Sequence, residues 1–175
     1  ILSLDDPNIF FDKKFNMLLF ILILDIKIYQ ICFYVTMPFK ISPLAPRKIK
    51  KISPISGINV SSVHCGLKKN NKQDLVLIKL DSPGEIIGLF TNSKTPGEPI
   101  IWNKKIHKFG KVSVILINSG NANVFNGKSG KSSLLKIVNE ISSKLKVPKR
   151  HIYIASTGVI GEPLDEKKII KQIPF

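Results

Sequence analysis

The chain has 175 residues, of which 43% are hydrophobic, and a formal net charge of +15. This length is sufficient for one domain with a buried core, and the apolar fraction argues against a disordered protein. Its two cysteines, Cys32 and Cys65, are too few for a disulfide framework, and its three histidines have no metal-binding spacing, so the composition excludes disulfide-rich and zinc-finger proteins and indicates a reducing compartment.

The first 36 residues differ in composition from the rest of the chain. They consist mostly of Ile, Leu, Phe, Lys, Asn and Tyr without a clear period. The apolar run Met17–Leu24 resembles the start of a signal peptide, but no small-residue cleavage site follows it. Residues Met17–Val35 are long enough for a membrane span, although two charged residues lie near their middle. We interpret residues 1–36 as a non-native or disordered apolar leader before a translation start at Met37, and a membrane anchor is the alternative.

The body of the chain is predicted to begin in an extended form. Four prolines make Met37–Ser56 a turn-rich lead-in, because each proline fixes its own backbone and disfavours helix. A strand-like pattern then runs from Gly57 to Gly66. Its candidate buried positions are Ile58, Val60 and Val63.

A hairpin is predicted next. The apolar segment Asp74–Leu80 precedes Asp81–Gly84, whose Asp, Ser, Pro and Gly are the residues that turns prefer. Residues Glu85–Thr91 are then expected to form the second arm of the hairpin.

The remaining elements alternate between strands and helices. Residues Ile100–Phe109 are ambiguous and allow a short helix that carries Trp102 inward. Because a hairpin is followed by alternating strands and helices, the sequence predicts a mixed α/β layered domain. The further predicted elements are the strand Val112–Ile117, the amphipathic helix Ser129–Leu145 ended by Pro148, the strand His151–Ala155, and the helix Pro163–Ile173 with Asp165 as its cap.

The first of two notable loops follows the buried strand Val112–Ile117. It reads Asn-Ser-Gly-Asn-Ala-Asn over residues 118–123. Asn and Gly tolerate left-handed backbone, and Asn side chains bind nearby backbone groups, so these residues suit tight turns. Their spacing is not that of a phosphate-binding loop. By itself this pattern indicates a structural loop.

The second loop, Ala155–Leu164, also leaves a strand and enters a helix. It contains a hydroxyl residue followed by a glycine, Thr157 and Gly158. A hydroxyl and a bare backbone N–H that point to one place can form an oxyanion hole, which stabilises negative charge on a carbonyl oxygen during acyl transfer. The structural alternative is a helix cap, in which Ser or Thr satisfies free N–H groups.

Together the two loops carry a family resemblance. The pair NSGNAN and ASTGVIGEPL, separated by one helix, resembles the bifunctional ornithine acetyltransferase/glutamate N-acetyltransferase family of arginine biosynthesis. The resemblance covers residues 37–175 and corresponds to roughly the first third of a family member. It also includes, in the same order, Ser42–Pro46, Gly88–Thr91, Pro96, Pro99 and Trp102.

This resemblance implies an incomplete N-terminal-nucleophile-like acetyltransferase fold, a mixed α+β layered sandwich, with residues 37–175 as its N-terminal portion. Family members move acetyl from N-acetylornithine to glutamate through a threonine acyl-enzyme, and some also use acetyl-CoA. Thr157 and Gly158 match the family's oxyanion-hole pair, and we expect the Thr157 hydroxyl and the Gly158 N–H to be the donors. Residues 118–123 are expected to shape the site rather than to take part in the chemistry.

The nucleophile is expected to lie outside this sequence. The family's precursor cuts itself just before a threonine, whose new amine and hydroxyl act as base and nucleophile. None of Thr36, Thr91, Thr95 and Thr157 stands in the family's Lys-Gly-Ala-Thr-Met-like context. We therefore expect the nucleophile beyond Phe175 and no activity from this chain by itself.

The same resemblance implies a cytoplasmic enzyme without pyridoxal, metal or nucleotide cofactor. Its partners would be the small-molecule substrates and the self-cleaved C-terminal chain, with no nucleic acid and no membrane. Two alternatives remain open. One is a fragment of a related N-terminal-nucleophile aminopeptidase, and the other is a small basic protein that binds RNA or an acidic partner, although the lysines are scattered along the chain.

Overall fold

The computed structural model describes Leu44, residues 53–69 and residues 71–173. Every helix and strand described below belongs to the unit Ile55–Phe175. The predicted leader (residues 1–36), the predicted start at Met37 and most of the proline-rich lead-in lie outside the described residues. Within the described residues, no helix has both the length and the apolar character of a membrane span.

The described residues form four strands and three α-helices, which alternate after the first two strands. Their bounds in chain order are β1 Ile58–Val63, β2 Leu75–Glu85, α1 Glu98–His107, β3 Lys111–Asn121, α2 Gly127–Leu145, β4 Ile152–Val159 and α3 Glu166–Ile170, with a short 3-10 turn at Lys149–His151.

The strands form one sheet in the order β1-β2-β3-β4. Strand β2 runs antiparallel to both β1 and β3, whereas β4 runs parallel to β3. Because parallel neighbours need a long crossover, α2 connects β3 to β4. The mixed α/β class predicted from the sequence is confirmed.

The core lies between one face of the sheet and helix α2. Leu77, Leu116 and Ile154 face one another across three strands and form a buried row. Their side chains share one face because alternate strand residues point to the same side. On α2 the buried positions recur at helical spacing and complete the cluster; they are Leu134, Ile137, Val138 and Ile141.

The helix predictions hold with shifted ends. Helix α2 ends at Leu145 as predicted, and α1 confirms that Ile100–Phe109 is largely helical, with Trp102 half-buried against the core. The last helix is much shorter than predicted. Asp165 occupies its N-cap position, as predicted, but its side chain makes no capping hydrogen bond.

The predicted hairpin is wrong. Strand β2 continues through Asp81–Gly84, and its end pairs with the start of β3. The register shifts between Lys79 and Gly84, which accommodates Pro83, a residue with no N–H to give to the ladder. Residues 86–97 consequently form no second arm.

Two of the three predicted buried positions in β1 lie off the core face. Val60 is 55% exposed, whereas Val63 packs against the core. Val63 pairs with Leu75, a residue of the core face, and period-two alternation therefore sends Ile58 and Val60 to the opposite face.

Glu166 joins α3 to α2 through a carboxylate shared by two donors. The Ser133 hydroxyl lies 2.9 Å from one oxygen, and the Lys136 ammonium lies 2.7 Å from the other. The hydrogen bond from Lys136 lowers the pKa of Glu166 from 4.5 to about 2. The ionised carboxylate therefore stabilises the fold above pH ~4.5, and this contribution is lost as the pH falls towards ~2.

We expect Glu166→Gln to lower the free energy of unfolding by about 1 kcal/mol near neutral pH, because solvent screens the exposed Lys136 and reduces the value of the ion pair. The loss should shrink as the pH falls through the interval in which the native carboxylate becomes protonated. Urea unfolding of both proteins over a pH series measures it. Glu140→Gln, which removes an exposed pair with Lys144, is the matched control. A loss for Glu166→Gln that is independent of pH would contradict the assignment.

Candidate active site

The two loops singled out in the sequence are the paired ends of parallel strands. Strand β3 runs on through Asn118–Asn121, and β4 runs on through Val159. Ser119 lies opposite Thr157, and Gly120 lies opposite Gly158. The prediction that β3 ends at Ile117 and β4 at Ala155 is therefore wrong, and the sheet itself carries the two motifs to adjacent positions.

Asn118 explains why polar residues continue these strands. Its side chain is buried, it donates to the Asn121 carbonyl oxygen at 2.9 Å, and it accepts from the Ser156 hydroxyl at 2.6 Å. A buried amide is costly unless it is hydrogen-bonded, and here the partner is a hydroxyl on the neighbouring strand. Asn118 thus joins the polar ends of β3 and β4.

The next two asparagines fix the chain beyond β3. The Asn121 amide donates to the Glu162 carbonyl oxygen at 3.0 Å, and its side-chain oxygen accepts the Asn123 N–H at 2.8 Å. Asn123 has a φ of +50°, and its amide donates to the Gly130 carbonyl oxygen at 3.1 Å. These amides are engaged in binding the protein's own backbone, and the role of residues 118–123 in shaping a site stays a prediction.

Two glycines allow the paired strand ends to approach closely. Gly120 and Gly158 both have positive φ values, +107° and +131°. A Cβ atom added to Gly158 would lie 2.3 Å from the Gly120 carbonyl carbon and 2.6 Å from the Asn121 nitrogen. No side chain fits at such distances, so this crossing requires glycine.

Helix α1 covers part of the outer edge of β4. The indole N–H of Trp102 donates to the Ile152 carbonyl oxygen at 2.8 Å. The Asn103 side chain binds Ile154 twice, donating to its carbonyl oxygen at 2.8 Å and accepting its N–H at 3.1 Å. The backbone groups of Ile152 and Ile154 therefore point away from β3, towards α1.

Gly158 lies at the end of the same outer edge of β4. Along a regular strand, every second residue presents its N–H and carbonyl to the same side. This regular alternation ends at Gly158, whose φ of +131° is not that of a regular strand. Beyond it, the N–H of Ala122 bonds to the carbonyl oxygen of Val159 at 2.9 Å, so the chain after Gly120 stays joined to β4. Within the described residues, no further strand pairs with this edge.

Both predicted site residues are accessible. Thr157 is half-buried and Gly158 is exposed. By strand alternation, the Thr157 side chain projects from the sheet face opposite α2, next to the outer edge of β4. The pair is therefore not enclosed in the core.

The other candidate groups in the described region have different roles. Thr91 and Thr95 are exposed, and their hydroxyls lie in hydrogen bonds with Ser93. Burial, together with a hydrogen bond to Asp74, raises the pKa of the Cys65 thiol to about 12, so this thiol is not a nucleophile near neutral pH. Among the described residues, no group of three or more His, Cys, Asp or Glu side chains could hold a metal ion.

Known proteins are similar to this chain over most of its length. The sequence model of the ArgJ family matches residues 59–175. The arginine biosynthesis bifunctional protein ArgJ of Bartonella quintana is 38% identical over 138 residues, which are 79% of this chain and 34% of that protein. The protein of the same name from Bradyrhizobium diazoefficiens is 37% identical over 132 residues, 75% of this chain and 32% of that protein. The chain thus spans about a third of the length of these curated relatives.

Two solved structures share the fold. The crystal structure of the arginine biosynthesis bifunctional protein of Bacillus halodurans is similar with a TM-score of 0.63 and 26% identity, over 66% of this chain and 61% of that chain. The ornithine acetyltransferase of Mycobacterium tuberculosis, solved in complex with ornithine, is similar with a TM-score of 0.64 and 24% identity, over 66% of this chain and 63% of that one. These similarities confirm the predicted N-terminal-nucleophile-like acetyltransferase fold, and the chain covers less than two thirds of each solved chain.

Proposed function

Because the chain belongs to the ArgJ family, we propose that it is the N-terminal portion of an acetyltransferase of arginine biosynthesis. The complete protein would move acetyl from N-acetylornithine, or from acetyl-CoA, to glutamate. The relatives that support this proposal are about three times as long as the matched segment, since it covers 34% of the Bartonella quintana protein. The proposal therefore concerns the whole protein, to which this chain contributes one part of the site.

That part is the oxyanion hole. In acyl transfer, a nucleophilic hydroxyl attacks the acetyl carbonyl carbon, its proton passes to a base, and the carbonyl oxygen becomes negatively charged. The Thr157 hydroxyl and the Gly158 N–H would donate hydrogen bonds to this oxygen. The observation that supports this role is the accessibility of the pair, because Thr157 is half-buried and Gly158 is exposed at the end of β4 while the Gly158 Cα packs against Gly120.

The nucleophilic threonine and its base would come from the remaining part of the protein. We propose that the precursor cuts itself into two chains that stay associated, and that the assembled enzyme needs no cofactor, binds no nucleic acid and works in the cytoplasm. Chain lengths support the cleavage. A similar segment covers 61% of the solved Bacillus halodurans chain but only 34% of the Bartonella quintana polypeptide, so the solved chain is much shorter than that polypeptide.

A hybrid enzyme tests the proposal. This chain replaces the matching N-terminal third of the Bartonella quintana relative, and transfer of acetyl from N-acetylornithine to glutamate is followed by chromatography. We expect self-cleavage into two chains, seen on a denaturing gel, together with acetyl transfer. The unaltered relative is the positive control. A hybrid that folds and cleaves itself but releases amino acids from peptides instead of transferring acetyl would favour the aminopeptidase alternative.

A further inference from the structure

A buried carboxylate stands directly before β2. The Asp74 residue is 3% exposed, and its two carboxylate oxygens accept the Cys65 N–H at 2.6 Å and the Lys68 N–H at 2.9 Å. Burial raises the pKa of this carboxyl, but these hydrogen bonds, a further one from the Cys65 thiol and the nearby His64 outweigh it, so the pKa lies below its ordinary value. Asp74 is thus an ionised group that closes the loop of residues 65–68.

This loop packs against β3 at the glycine crossing. A Cβ atom added to Gly120 would lie 3.0 Å from the Leu67 carbonyl oxygen and 3.1 Å from its carbonyl carbon. Leu67 lies between the two residues whose N–H groups Asp74 binds. The backbone of Asp74 reaches β3 as well, because its carbonyl oxygen accepts the Ser119 N–H at 2.8 Å. Asp74 therefore holds both the loop and the residue that precedes Gly120.

The contacts continue from Gly120 to the site. Gly120 is in direct backbone contact with Gly158, at a distance that excludes any side chain. Leu67, Gly120 and Gly158 thus form a stack of three backbone segments, which we call the glycine stack. Backbone packed against backbone cannot move aside as a flexible side chain can. Displacement of the loop of residues 65–68 is therefore transmitted to Gly158.

We propose that Asp74 is a positioning residue, which sets the position of Gly158 through the glycine stack. The catalytic meaning of this role rests on the proposed function, whereas the mechanical coupling does not. Asp74 touches no reacting atom. It anchors the loop whose Leu67 carbonyl supports Gly120, and Gly120 supports the residue that donates to the oxyanion.

The test is Asp74→Asn in the whole 175-residue chain, with the amide of Gly158 observed by nuclear magnetic resonance. Asparagine keeps the shape but turns one acceptor oxygen into an NH₂ group that faces an N–H donor. We expect the Gly158 and Gly120 amide signals to shift and their hydrogen exchange to accelerate by about tenfold, as local opening becomes easier. Unchanged Gly158 signals, with shifted Cys65 and Lys68 signals, would overturn the proposal.

Glu140→Gln is the matched control, because it also removes a paired carboxylate but one that binds Lys144 within α2. It should leave the Gly158 signal in place, and an equal shift in both variants would overturn the proposal. If Asp74→Asn does not fold, Asp74→Glu keeps the charge and moves it by one methylene, and the same amides should shift. None of these readouts involves catalysis, so their failure and the failure of acetyl transfer by the hybrid enzyme are distinguishable.

Discussion

Replacing Gly158 with alanine is expected to destabilise the fold by about 2–5 kcal/mol, because two separate costs fall on one residue. Its φ of +131° lies in a region that residues with a Cβ rarely adopt. The new methyl would also lie 2.3 Å from the Gly120 carbonyl carbon, so the strand ends would have to separate. Chemical denaturation measures the loss, and the midpoint of thermal unfolding should fall by roughly 10 °C.

Gly161 provides a control that isolates the cost of backbone conformation. Its φ is +82°, but an added Cβ would meet nothing within 4 Å. Gly161→Ala should therefore cost only about 1 kcal/mol, which is the price of the positive φ without the collision. Equal losses for the two variants would mean that the strand ends can separate freely and that the close approach of Gly120 and Gly158 is not essential to the fold.

Local patterns predicted the elements that bury one continuous apolar face. The helical spacing of Leu134, Val138 and Ile141 predicted α2, and the apolar run before Asn118 predicted the centre of β3. Such patterns reflect burial directly, because apolar residues that recur on one face of an element are covered by another element. The patterns did not predict the polar ends of β3 and β4.

The polar ends of β3 and β4 were predicted as loops because Asn, Ser, Thr and Gly are typical turn residues. In the structure they stay in the strands because polar groups of each strand form hydrogen bonds with the other. One example is the hydrogen bond from Ser156 to Asn118, which are 38 positions apart in the sequence. The hairpin prediction failed for a similar reason. A turn signal at Asp81–Gly84 is overridden when β3 is long enough to pair with the segment that follows it.

The site was only partly predictable from the sequence. The family resemblance singles out Thr157 and Gly158, but the position of β4 against α1 depends on Asn103, which binds Ile154 from 51 positions away. Asp74 stands at the start of the apolar segment Asp74–Leu80, and nothing in that pattern predicts a role for its carboxylate. Its burial depends on a loop whose backbone N–H groups surround the carboxylate, and no residue pattern shows this.

Thr157→Ala is expected to lower the turnover of the hybrid enzyme by about 10²–10³-fold, corresponding to the roughly 2.7–4 kcal/mol that one oxyanion donor contributes. The hydroxyl would stabilise a charge that exists only in the transition state. The change should therefore appear in kcat, with KM nearly unchanged. Because the Thr157 side chain is half-buried at a strand end, the variant should keep its fold, which circular dichroism can check.

Thr157→Ser separates the hydroxyl from the rest of the side chain. Serine keeps the donor and loses only a methyl group, so its turnover should lie close to that of the unaltered hybrid, whereas Thr157→Val keeps the shape without the donor and should match alanine. If valine retained the activity and serine lost it, the methyl group would matter and the hydroxyl would not. The oxyanion would then have to be held without Thr157, and the Gly158 N–H would be the single donor that this chain supplies.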